Sequence, residues 1–213
     1  MDVFVSVGTG LSSEQEAFVS AVEQRLVAIG LTPRTIGRNT FSADAPLHAV
    51  SELMDKCGGA VVIALERFHF PRGEERRGTD RQNALTDVRM PTAWNQIEAA
   101  MAYQRGIPLL VIVDPSLRKD GLLERGNDWY VQELPIEPSS LNAPAFSGIL
   151  ESWRGRLVAN ENNPSKPSKP FDPSSMSIGQ LIAALKPAHF WATLVALLAA
   201  LGAAFAIGAK LFG

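Results

Sequence analysis

Cysteine is almost absent: Cys57 stands alone among 213 residues. A lone thiol closes no internal disulfide, excludes a disulfide-stapled secreted scaffold, and fits a reducing compartment as a packed side chain. Histidine is nearly as scarce, at three positions (48, 69 and 189), and neither it nor the acids fall at metal-ligand spacings, so no metal is expected. There is no Walker loop, zinc pattern or Ser-His-Asp set. Charge of one sign is lacking too. Twenty Lys and Arg against 22 Asp and Glu give a net −2, which offers nucleic acid no electrostatic footprint. Nothing at the N-terminus reads as a signal peptide, so the globular part is expected in the cytoplasm.

What is present is an alternation of short apolar runs and amphipathic segments. Residues 3–7 read as a first strand. The helix after it is capped by Ser12 or Ser13, with Glu16 in the capping-box position after Ser13. Phe18, Val22, Leu26 and Ile29 mark its inner face, and Gly30 ends it. Residues 32–36 read as a second strand, 45–57 as a helix with Val50, Leu53 and Met54 inward, and 59–65 as a buried third strand. A helix from Trp94 stops at Gly106 and runs into a strand at 108–113; Ile97, Ala100, Met101 and Gln104 recur along it at helical spacing. A helix over 144–158 closes the domain. This alternation predicts an α/β fold, a parallel sheet with helices on both sides. Residues 66–91 interrupt it, with six arginines against five acids. They read as a solvated, self-paired surface loop, or as a lid or a contact between neighbouring domains.

Glu98 lies one turn along from Trp94, so ring and carboxylate share a helix face. In open α/β sheets, ligands bind beyond the carboxyl ends of the strands, where helices begin. A carboxylate there can hold a ribose and support developing positive charge on it. An acidic residue near the positive end of a helix dipole is the plainer alternative, and spacing alone favours it.

The motifs, taken in order, resemble a TIR domain. Trp94-x-x-x-Glu98-x-x-x-Ala102-x-x-x-Gly106, followed by a strand ending in Asp114, is similar to the third helix and fourth strand of that family. Its NAD-cleaving members carry their catalytic glutamate at this point. Nucleoside 2-deoxyribosyltransferases, on a related flavodoxin-like core, also place a glutamate there. The opening Val3-Phe-Val-Ser6 is similar to the first TIR strand, and the resemblance covers roughly residues 1–135. It implies a flavodoxin-like parallel sheet and a nucleotide site with Glu98 as the catalytic residue. Ser6, Gly8 and Thr9, in the turn after the first strand, would face a phosphate. Arg38 would pair with a diphosphate, Phe41 stack on a base, and Trp94 stack on the leaving base. A plain tight turn, a surface arginine and a Phe packed beneath its loop explain these positions as well. NAD enters as a possible substrate, and no cofactor is expected. The 66–91 insertion departs from the usual TIR spacing.

The domain is expected over 1–159, followed by a Pro- and Ser-rich linker at 160–175 and a short amphipathic juxtamembrane helix at 176–187. Residues 188–210 read as a single transmembrane helix, bounded by Trp191 and Lys210 and long enough for a hydrocarbon core of roughly 30 Å. The expected location is the cytoplasmic membrane, with the domain on the cytoplasmic side. Gly202 with Ala206, and Ala204 with Gly208, permit close helix contact in lipid, so a homo-oligomer through both domain and span is expected. A nucleotide-recognising domain joined to a C-terminal span is the plan of bacterial antiphage effectors. Two functions fit by that analogy. One is an NAD-cleaving N-glycosidase or cyclase activated by clustering. The other is a non-enzymatic sensor that binds a nucleotide signal and assembles membrane-disrupting helices.

Overall fold

The computed structural model describes residues 1–126 and 129–162. In chain order its elements are β1 (Asp2–Val7), α1 (Ser13–Ala28), β2 (Thr32–Arg34), α2 (Pro46–Met54), β3 (Gly59–Ala64), β4 (Phe68–Glu75), β5 (Asn83–Met90), α3 (Ala93–Gln104), β6 (Leu109–Val113), β7 (Tyr130–Glu133) and α4 (Pro144–Asn162). Five of the strands form one sheet in the order β2-β1-β3-β6-β7, every neighbouring pair parallel.

Alternation along the central strands sends side chains into two cores. Val3, Val5, Val61, Ile63, Leu110 and Ile112 pack under α1 and α4, against Phe18, Leu26, Phe146 and Trp153. Phe4, Ala60, Val62, Ala64 and Val111 face α2 and α3, against Val50, Met54, Ala99 and Ala102. The helices cover both faces, and β3 and β6 are accordingly free of polar side chains, while β1 carries one buried polar residue, Ser6. Gly59 lets α4 approach: a β-carbon there would lie 2.2 Å from Leu157 Cδ2. Cys57 packs among these side chains, and burial pushes its thiol up to about 12, so it stays protonated and unreactive.

Several local expectations are corrected. Of the two candidate caps of α1 it is Ser12 that serves, its Oγ accepting from the Gln15 amide while Gln15 Oε1 accepts from the Ser12 amide; Gln15, not Glu16, fills the capping-box position. The buried face of α3 is Asn95, Glu98, Ala99 and Ala102, not the Ile97, Ala100 and Gln104 row; Ile97 is exposed. Small side chains decide this. Ala99 and Ala102 let the helix approach Ala60 and Ala64 closely, and the polar residues on that face are drawn inward with them. Helix α4 continues through Asn160–Asn162, into the stretch read as linker.

The largest correction concerns residues 66–91, which form an antiparallel ribbon, β4 with β5. Phe68 opposes Met90 and Phe70 opposes Val88, pairs that give the ribbon an apolar stripe within a charged sequence. Arg76 and Gly78 take positive φ at the tip, and Arg118 ties the ribbon down by pairing with Glu75 at 2.7 Å. Among the described residues no helix is long and apolar enough to cross a membrane. The juxtamembrane helix, the 188–210 span and all of the linker beyond Asn162 lie outside the described residues.

Candidate functional site

Where β1 and β3 end, the chain opens a cleft of about 390 Å³. The turn after β1 supplies Val7, Gly8 and Thr9, α2 supplies Pro46 and Val50, and the base of the ribbon supplies Arg67 and Phe68. Thr92, Trp94 and Glu98 come from the start of α3, the position at which ligands approach a parallel sheet. The volume lies at the small end of the roughly 300–1,000 Å³ usual for small-molecule sites.

Glu98 is the chemical centre of this cleft. Its side chain borders the cavity, yet the residue is only 9% exposed, so the carboxyl group sits at the floor. The Ser6 hydroxyl is hydrogen-bonded to it. Asn95 Nδ2 donates to Ser6 Oγ at 2.9 Å and lies 3.4 Å from the Ile63 carbonyl. A carbonyl only accepts, so the amide must present its NH₂ to Ile63 and Ser6. Ser6 Oγ is thereby an acceptor from Asn95, and its own proton turns to Glu98. Among the described residues, Asn95 Oδ1 is left buried without a partner. Burial raises Glu98 from the ordinary 4.5 to about 7, with the Ser6 hydrogen bond pulling the other way. A carboxyl that titrates near neutrality can serve as a fixed charge or as a proton acceptor, the behaviour expected at a working site.

Of the residues singled out in the sequence, Gly8, Thr9, Trp94 and Glu98 line the cleft and Ser6 stands behind Glu98. Trp94, 39% exposed, forms part of the rim. Arg38 is elsewhere. Its guanidinium donates to both carboxylate oxygens of Glu16 and to both of Glu23, at 2.5 to 3.1 Å, which holds Arg38 charged and leaves it neutralised. It borders a separate recess of about 160 Å³ that shares Val7, Gly8, Thr9 and Ile36 with the cleft. Phe41 is 78% exposed and borders neither.

Sequence reasoning missed Asn95, Arg67 and Phe68. Asn95 is legible in hindsight, because it precedes Glu98 by three residues and shares its face. Arg67 and Phe68 carried no such signal, since their place depends on the ribbon. The structure also gathers Asp44, His48 and Glu52, whose ligand atoms lie within 4.8 Å of one another. In sequence they stand four residues apart. All three are exposed, about half a helical turn around from the cleft-lining Pro46 and Val50. No protein-family model matches this chain, and no curated protein is significantly similar to it.

Proposed function

We propose that this chain is a TIR-like N-glycosidase that cleaves NAD at the bond between ribose and nicotinamide, anchored to the membrane by residues 188–210. One observation carries the reading: the Glu98 carboxyl at the floor of a cleft beyond β1 and β3, with Trp94 on its rim. The strand order β2-β1-β3-β6-β7 supports it, because with the ribbon set aside this is the order of flavodoxin-like sheets.

Breaking the C1′–N bond sends its electron pair to the nicotinamide ring, which leaves neutral, and puts positive charge on the ribose ring oxygen and C1′. An ionised Glu98 opposite C1′ stabilises that charge, and in a buried site the effect is stronger than in water. Water adds to C1′ and its proton passes to a base, a role Glu98 can fill because it titrates near 7. Ser6 and Asn95 hold the carboxylate in place. Trp94 offers a ring face for the departing nicotinamide.

Full-length protein in detergent should release nicotinamide from NAD, and Glu98→Gln should abolish release while leaving the fold intact. The sensor reading takes over if NAD or a cyclic nucleotide raises the melting temperature and no cleavage accompanies binding. Toxicity would then depend on the 188–210 segment, and Gly202→Leu or Gly208→Leu should suppress it by preventing close helix contact.

A further inference from the structure

We infer that Arg67 is the anion-recognising residue of this site, and that the cleft therefore takes a phosphorylated nucleoside in preference to a free one. The inference rests on the nucleotide reading above and adds which residue reads the phosphate.

The sequence offered Arg38 for that task, and its surroundings disqualify it. Two carboxylates, Glu16 and Glu23, already accept its hydrogen bonds, so the cluster carries a net negative charge and repels a phosphate. Arg67 is placed differently. It follows β3, directly at the edge where ligands approach, and it borders both the main cleft and the narrow recess between the β1 turn and Glu66. It is the one cationic side chain among the residues that line the main cleft. Among the described residues, no carboxylate lies within ion-pair distance of it; its Nη1 donates to the Thr9 carbonyl at 2.5 Å.

That single bond orients the group without neutralising it. A guanidinium has five N–H donors in a rigid fork. With one of them holding the Thr9 carbonyl, the rest remain for a ligand beside the Gly8–Gly10 turn. The group lies hard against this turn, since a β-carbon at Gly10 would stand 3.1 Å from Nη1. The main-chain amide of Arg67 donates to the Met90 carbonyl at 2.9 Å, so the first pairing of the ribbon fixes where the side chain starts. Phosphate recognition by a forked, charge-assisted donor is what arginine does best. Glu98 stands across the same cleft for the sugar, and the two groups divide the ligand between them.

The test uses full-length protein in detergent and calorimetric titration with two ligands that have no nicotinamide to lose, ADP-ribose and adenosine. Wild type should bind ADP-ribose about tenfold or more tightly than adenosine, the scale of one charge-assisted hydrogen bond, and added salt should narrow the gap. Arg67→Gln should remove the preference and leave adenosine within about twofold, because the side chain is exposed and supports no core. Arg67→Lys should fall between, keeping the charge without the fork. Arg38→Gln should leave the ratio as it was. Equal affinities in wild type, or a preference that survives Arg67→Gln, overturns the assignment and leaves a nucleotide cleft read by other groups. Failure to bind either ligand, in a protein that melts cooperatively, overturns the assignment and the nucleotide reading together.

Discussion

Glu98 joins two properties that usually oppose one another. Burial raises its ionisation to about 7, so above that pH the native state holds a charged carboxylate that water would solvate better. The unfolded chain loses this proton near 4.5 and the native chain near 7. Between those values the native state binds more protons, and stability falls as pH rises. Glu98→Gln should erase that slope. The variant should match wild type at pH 4 and exceed it at pH 8 by about 3 kcal/mol, which denaturant unfolding at the two pH values measures. Equal stability at both would mean the carboxyl is solvated in the native state. Activity should run the other way, with kcat/KM rising with pH to a plateau through an apparent pKa near 7. Ser6→Ala removes a hydrogen bond that favours the ionised form, so it should move that midpoint upward; a midpoint unmoved or lowered would break the proposed link between Ser6 and Glu98.

The elements were legible wherever one local signal dominates. Strands β3 and β6 stand out as unbroken apolar runs, and Gly106 marks the end of the helix before β6 with a φ of 66°. The ribbon was not legible. Its two short apolar pairs, Phe68 with Met90 and Phe70 with Val88, are 22 and 18 residues apart in sequence and embedded among arginines. Periodicity marks helix α3 but not its buried face, because the position of a helix over a sheet follows close approach as much as hydrophobicity. The site divides the same way. Trp94 and Glu98 announce themselves at a spacing of one turn, whereas the Asn95–Ser6 bond spans 89 residues and exists only once β1 and α3 meet. Close approach can be tested at Gly59 and Leu157. Leu157→Ala should cost about 2–5 kcal/mol through the cavity left, and Gly59→Ala about 1–3 through overpacking. The double variant should unfold at a denaturant concentration above the additive expectation, because the new methyl points into the space vacated by Leu157. Strict additivity would mean the two residues do not share that space.

For the whole molecule, the proposal joins a cytoplasmic nucleotide cleft to a membrane anchor. Fractionation of cells expressing the full chain or residues 1–162 should place only the former in the membrane pellet. A full-length chain that is monomeric and soluble without detergent would remove the anchor from the account. Chemistry in the cleft is the more central claim, and nicotinamide release tests it most directly. The measurement is turnover of NAD by full-length protein in detergent at pH 7.5, concentrated enough to assemble, beside a Glu98→Gln variant that melts cooperatively. Wild type should release nicotinamide and the variant none. Release that persists in Glu98→Gln, or no release by a wild-type protein that is folded and assembled, would contradict it.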